Sequence, residues 1–195
     1  NYTSFSDREI VSKLLGPDAW TKISSLRPHI RTGRSARMLY EILGDIWVSV
    51  RNPYLEEELL QDKPRRELLV QAMRHRLAEM GKRRQNDGSE RDQTVEDLIG
   101  RTEKAIVNFE KQFDGRLEYR EKIFQRLSKV TKKRNIRFSP YDRAVHATDA
   151  TDWRVAYPIV VLYPDSELEI PGLVKGCQSL GLTLIARGGG TGYTG

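Results

Sequence analysis

The sequence predicts an α+β chain, all-helical over residues 1–135 and continuing over residues 136–195 as the first βαβ unit of an α/β domain. Three observations carry this expectation. Apolar residues recur at helical spacing from Ile10 to Val130, continuous apolar runs replace that spacing after residue 135, and a glycine-dense loop follows the last run.

The helices can be set out in order. Ser6-Asp7-Arg8-Glu9 is a capping-box pattern ahead of Ile10, Val11, Leu14 and Leu15, and Gly16 stops that helix. Pro17 opens a second, with Trp20, Ile23 and Leu26 on one face before Pro28. A third is predicted from about Ser35 through Leu39, Ile42, Leu43 and Ile46, while Trp47-Val48-Ser49-Val50 fits either a strand or a helix end. Asp62 and Pro64 introduce a helix whose stripe is Leu69, Met73, Leu77 and Met80, ending at Gly81. Lys82 to Gln93 has too little apolar surface to pack and reads as a flexible loop. Two more helices, about 94–114 and 116–130, carry Leu98, Ile99, Ile106, Phe109 and Phe113, then Tyr119, Ile123, Leu127 and Val130. They are expected to pair as an antiparallel hairpin around Gly115.

After Lys132-Lys133-Arg134-Asn135, the run Pro158 to Pro164 predicts a strand buried on both faces. Ser166-x-x-Glu169 is a second capping-box pattern, and Leu173, Val174, Cys177 and Leu180 give the buried face of a helix ending at Gly181. Pro171 requires that helix either to kink or to begin near Glu169. Leu182 to Ala186 completes the expected right-handed parallel crossover.

Composition narrows the function classes. The longest apolar run, Ile159 to Tyr163, is far short of the roughly 20 residues of a membrane-spanning helix, and the polar start is no signal peptide. Without an initiator Met, the chain is expected to be trimmed from a longer protein. A single cysteine, Cys177, excludes an internal disulfide framework or a cysteine-built metal site and makes a cytoplasmic setting the default. The formal charge of +6 is uneven: Ile136–Gly195 hold 5 of the 33 basic and 6 of the 27 acidic residues, leaving 28 and 21 to residues 1–135. The basic excess therefore belongs to the helical part.

The chemistry concentrates in Arg187-Gly188-Gly189-Gly190-Thr191-Gly192-Tyr193-Thr194-Gly195, with five glycines in the eight residues from Gly188. Such glycines let backbone N–H groups converge on an anion and let a phosphate approach the main chain. A nucleotide-triphosphatase loop would need a Lys followed by Ser or Thr, which is missing here. Gly190-x-Gly192-x-x-Gly195 satisfies the dinucleotide pattern, although that pattern belongs after the first strand of its unit. A glycine segment without a ligand is the third reading.

Pro158 to Gly195, read with Thr148-Asp149-Ala150-Thr151, resembles the start of the FAD-binding domain shared by vanillyl-alcohol oxidase and p-cresol methylhydroxylase relatives, especially the D-lactate dehydrogenase and glycolate oxidase group. The resemblance covers about 50 residues, and its specific element is the Arg-Gly-Gly-Gly-Thr-Gly-x-Thr-Gly loop. It implies that backbone amides of Gly188, Gly189, Gly190, Thr191, Gly192 and Gly195 bind the FAD pyrophosphate, with Tyr193 and Thr194 in the same loop and Arg187 bracing it or adding positive potential. Thr191 stands where some relatives carry a flavin-linked His, which implies non-covalent FAD, and Ala186 departs from the Pro common before the Arg.

Residues 1 to about 135 resemble a helical domain that precedes this FAD domain in large bacterial oxidoreductases, through Asn1 to Ile10 and through Arg31-Thr32-Gly33-Arg34-Ser35-Ala36-Arg37 to Asn52-Pro53-Tyr54. Together the resemblances imply oxidation of a 2-hydroxy acid such as D-lactate or glycolate by hydride transfer to flavin, with an unidentified electron acceptor. They also imply iron–sulfur domains further along the parent chain, and a cytoplasmic protein that could sit peripherally at the inner membrane.

Other candidates are weaker. His29, His75 and His146 lack metal-ligand spacing, no catalytic residue can be named, and Cys177 reads as a buried filler. The rival class is a helical interaction or nucleic-acid-binding module, based on Lys82-Arg83-Arg84, Lys132-Lys133-Arg134 and Arg31, Arg34 and Arg37. Because Phe109, Phe113 and Tyr119 fall on the apolar stripe, no nucleic-acid partner is expected, and the helices are expected to dock on other domains or a second subunit.

Overall fold

Helices with capped ends account for most of the computed structural model, which describes residues 5–26, 33–84, 87–148 and 156–192. The chain divides into two compact units, Phe5–Phe113 and the residues from Asp114 onward.

In the first unit, α1 (Asp7–Leu15) forms the expected capping box: the Glu9 amide donates to Ser6 Oγ at 3.4 Å and the Ser6 amide donates to Glu9 Oε2 at 3.0 Å. α2 (Ala19–Leu26) follows, and α3 (Gly33–Arg51) runs through Trp47 to Val50, so the segment that fits strand or helix is helical. Tertiary packing decides it, since Ile46 and Trp47 are buried on that face. α4 (Pro53–Gln61) starts at Asn52, whose Oδ1 accepts from the amides of Tyr54 and Leu55, and α5 (Lys63–Lys82) starts at Asp62, which accepts from the Arg65 amide. α5 passes through Gly81 and ends one residue beyond it.

α6 (Glu90–Leu127) holds two corrections. Glu90 to Gln93 is helical and Arg84 grips Asp92 through two nitrogens at 2.8 and 3.0 Å, so the expected loop does not extend over residues 90–93. Gly115 does not turn the chain either: one helix replaces the expected hairpin. A helical glycine costs only about 1 kcal/mol against Ala. That is less than the gain from burying Ile106, Phe109 and Phe113 before it and Ile123 and Leu127 after it. A Cβ at Gly115 meets nothing within 4 Å. Gly115→Ala should therefore stabilise the protein by about 0.5–1 kcal/mol in urea titration; destabilisation would restore the hairpin.

The first core joins Val11, Leu15, Ile23, Ile42, Leu43, Leu59, Met73, Leu77, Ile106, Phe109 and Phe113. The buried Arg66 caps it, donating to the Leu59 carbonyl at 3.1 Å with its guanidinium 5.4 Å from the Phe113 ring centre. At the surface, Arg101 joins Asp18, Asp97 and the last carbonyl of α1, Leu15, while Lys22 joins the same two carboxylates. Arg101 and Lys22 hold the Asp18 carboxyl well below the usual range, and Lys22 and Arg101 do the same for Asp97. Groups depressed in the folded state stabilise it above their unfolded pKa, about 3.9, and lose that contribution as pH falls through the folded values. Tm should thus drop below about pH 4, by less at high salt because the network is exposed. Asp18→Asn should flatten this acid limb; an unchanged limb would show that the network is not linked to stability.

In the second unit, Ile123 and Leu127 of α6 pack with Ile136, Leu173 and Cys177. β1 (Ile136–Arg137) and β2 (Val161–Leu162) pair antiparallel, Ile136 opposite Leu162. Between them, α7 (Pro140–Val145) is capped by Ser139, whose Oγ accepts from the Asp142 amide. The helix α8 (Ile170–Ser179) begins after a 3₁₀ turn at Glu167–Glu169, which places Pro171 in its first turn and removes the need for a kink. The second capping box does not close: Ser166 Oγ accepts from the Leu168 amide, while Glu169 accepts from the Asp165 amide and the Thr131 hydroxyl. α8 approaches α6 and the turn after it through glycines, since a Cβ on Gly172 would stand 2.6 Å from Val130 Cγ1 and one on Gly176 2.7 Å from Leu127 Cδ2.

The parallel βαβ unit is not formed among the described residues. The run 158–164 contributes only the two-residue β2, with Tyr163 40% exposed, and residues 182–186 form no strand. Among the described residues, 182–186 pairs with no strand, and Ile185 is 88% exposed.

Candidate functional site

The glycine loop is reached from α8 through Gly181 and residues 182–186, which have no regular secondary structure. Arg187, Gly188, Gly189, Gly190, Thr191 and Gly192 lie in the described residues; Tyr193, Thr194 and Gly195 fall outside them, as do Asp149, Ala150 and Thr151. Gly188 and Gly189 are exposed, and a Cβ on Gly188 would meet nothing within 4 Å. Gly190 has φ +72°, in the left-handed region that side chains other than glycine rarely adopt. The Arg187 guanidinium lies against it: a Cβ at 190 would stand 2.8 Å from Arg187 Cζ and 3.2 Å from Nε. The left-handed backbone at 190 thus favours glycine, and the Arg187 guanidinium fills the space beside it.

Arg187 Nη1 donates to the carbonyl of Thr148 at 2.6 Å and reaches that of His146 at 3.5 Å. His146 is the C-cap of α7, so the guanidinium meets the cap carbonyl of that helix and the carbonyl two residues beyond it. The same residue holds a side-chain cluster that sequence reading missed. His146 Nδ1 is 2.8 Å from the Asp142 carbonyl, and the Tyr163 hydroxyl is 3.2 Å from both His146 Nε2 and Asp142 Oδ1. With Nδ1–H donating to the Asp142 carbonyl, the single Tyr163 hydroxyl proton goes to Asp142 Oδ1, and the hydroxyl oxygen lies beside the His146 ring. Burial and the nearby Asp142 carboxylate raise the Tyr163 hydroxyl, which keeps it a donor. The buried Arg143 donates from Nε to the Pro158 carbonyl at 2.7 Å, tying α7 to the chain that enters β2. The available signal was Ser139-Pro140 followed by Asp142 and His146 four residues apart, a capped turn with two polar groups on one side.

The other sequence candidates separate from this site. Cys177 is 1% exposed and burial raises its thiol, as a packed side chain requires. His75 is exposed on α5, and His29 lies outside the described residues. Much of the basic charge is countered by carboxylates: Arg37 by Glu41, Lys82 by Glu79, Arg84 by Asp92 and Glu96, Lys132 and Arg134 by Asp165. Phe109 and Phe113 are buried in the first core. A cavity of about 160 Å³ in the helical unit is lined by Leu26, Leu39, Met80 and Leu98 beside Arg84 and Asp92. Among the described residues no group of three or more His, Cys, Asp or Glu could hold a metal ion, and no helix is long and apolar enough to cross a membrane.

Neither a curated protein nor a solved structure matches the chain. One family model, described as "Protein of unknown function (DUF3683)", matches residues 1–111, which takes in α1 to α5 and much of α6. The chain belongs to that family.

Proposed function

We propose that the loop from Gly188 binds the pyrophosphate of FAD and that the chain is the front part of an FAD-dependent oxidoreductase acting on a 2-hydroxy acid such as D-lactate or glycolate. The observation that carries this reading is the shape of the loop: a left-handed Gly190 beside the exposed main chain of Gly188 and Gly189. Loops of this kind present amide hydrogens to anions without a side chain in the way. Gly188, Gly189, Gly190, Thr191 and Gly192 would hold the phosphates, with Tyr193, Thr194 and Gly195 continuing the loop. Bound flavin would supply the hydride acceptor. Arg187, committed to two carbonyls, would keep the loop open for it. Thr191 in place of a flavin-linked His favours a non-covalent cofactor.

The exposed segment 182–186 agrees with this proposal. Leu184 is 45% and Ile185 88% exposed, apolar side chains that an α/β sheet completed by other parts of the protein would cover. The helical unit would then precede the FAD domain, and any iron–sulfur centre or electron acceptor would belong to other parts of the enzyme. The test is the flavin content of the purified full-length protein. Yellow protein that keeps flavin through gel filtration and yields free FAD on denaturation is the expected result, whereas full-length protein that stays colourless after incubation with FAD would refute the reading.

A further inference from the structure

We infer that Arg187 is a positioning residue, which sets the shape of the glycine loop by joining it to the C-terminal end of α7 and does not itself serve as a phosphate ligand. This rests on the pyrophosphate reading above. The guanidinium has two engagements at once. Its Nη1 donates to the Thr148 carbonyl at 2.6 Å and reaches the His146 carbonyl at 3.5 Å, while its Nη2 and Cζ crowd the place that a Cβ of residue 190 would take. A planar, forked cation can bond with its edge and pack with its flat side; an ammonium group offers one point of charge and no flat side. The loop conformation and the arginine therefore specify each other, since φ +72° at Gly190 leaves the space that Arg187 fills.

The carbonyls that receive Arg187 are themselves anchored. α7 has six residues, too few to be stable alone. It is held at its start by Ser139, in its middle by Arg143 on the Pro158 carbonyl, and at its end by the Tyr163 hydroxyl between Asp142 and His146. Tyr163 directly follows β2, and its amide donates to the Asn135 carbonyl at 3.0 Å. A chain of contacts thus runs from the small sheet through α7 and Arg187 to Gly190. Thr148 also opens the stretch Thr148-Asp149-Ala150-Thr151, so Arg187 links the two sequence segments that carry the likeness to FAD domains.

Two measurements on wild type, Arg187→Lys and Arg187→Gln test this, and they fail separately. In the first, amide relaxation of the 195-residue chain is recorded by NMR without flavin. Order parameters of Gly189 and Gly190 should fall below about 0.6 in both variants, with α1 and α8 unchanged; loop amides that match wild type in Arg187→Gln would overturn the inference. In the second, FAD dissociation is followed in the full-length protein, where both variants should release flavin about tenfold faster, the loss typical of a charged hydrogen bond. Restoration by Arg187→Lys would assign Arg187 to phosphate charge and overturn the positioning role. Absence of flavin from wild type would strike the pyrophosphate reading alone, because the relaxation measurement still decides whether Arg187 holds the loop.

Discussion

Gly190→Val is expected to abolish flavin retention in the full-length protein while leaving its helices folded. Two costs fall on the same residue. Valine is β-branched and would have to adopt φ +72°, where strain is of order 1–3 kcal/mol. Its Cβ would also crowd Nη2 and Cζ of Arg187, so the guanidinium must shift from its place beside the loop. The helical unit has its own core and none of these contacts. Flavin per polypeptide should approach zero with far-ultraviolet circular dichroism unchanged. Full occupancy in a folded Gly190→Val protein would show that this glycine run is not the pyrophosphate loop.

The largest stability effect is expected at Phe109→Ala, about 3–5 kcal/mol, the usual cost of truncating a buried phenylalanine. Phe109 is 2% exposed and meets Phe113 edge-on, with ring centres 5.1 Å apart, and its neighbour Ile106 is fully buried. With the native stability of a typical domain at 5–15 kcal/mol, this single change should bring the helical unit close to unfolding at ambient temperature. Urea denaturation followed by helicity would measure it. Leu117→Ala, on the same helix but at a 48% exposed position, is the control and should change stability by less than about 0.5 kcal/mol. Equal losses at the two positions would mean that the core does not lie on the face assigned to it.

How far the sequence could be read depended on whether the information was local. The capping box at Ser6 and Glu9 and the buried positions Leu39, Ile42, Leu43 and Ile46 are recorded in neighbouring residues, and the structure reproduces them. Gly115 misled because a glycine is a strong signal in sequence but a small energy in a helix anchored by buried side chains on both sides. The run Pro158 to Pro164 marked the right place for an extended segment, but apolar content does not encode a partner. The partner proved to be Ile136–Arg137, antiparallel, where a parallel neighbour was expected. Residues 182–186 have strand composition and no strand, because pairing is not a property of one segment. At the candidate site the glycines were legible from their density. The contact between Arg187 and Thr148 was not, since the two are 39 residues apart and one of the groups is a main-chain carbonyl, which has no signature in sequence.

The glycine face of α8 bears on the order in which the second unit assembles. Gly172 and Gly176 let α8 settle against Val130 and Leu127 at a distance that no larger residue permits, and the Tyr119 hydroxyl reaches the Leu180 carbonyl across 61 residues. Contacts so remote in sequence gain nothing until the intervening chain has closed, and closure costs entropy that grows with its length. Leu173 and Cys177 stand beside these glycines, so the apolar contact of α8 with Ile123 and Leu127 forms only at the close approach that the glycines allow. Docking of α8 is therefore expected late in folding, after the end of α6 has become helical, and Leu173→Ala should speed unfolding more than it slows folding.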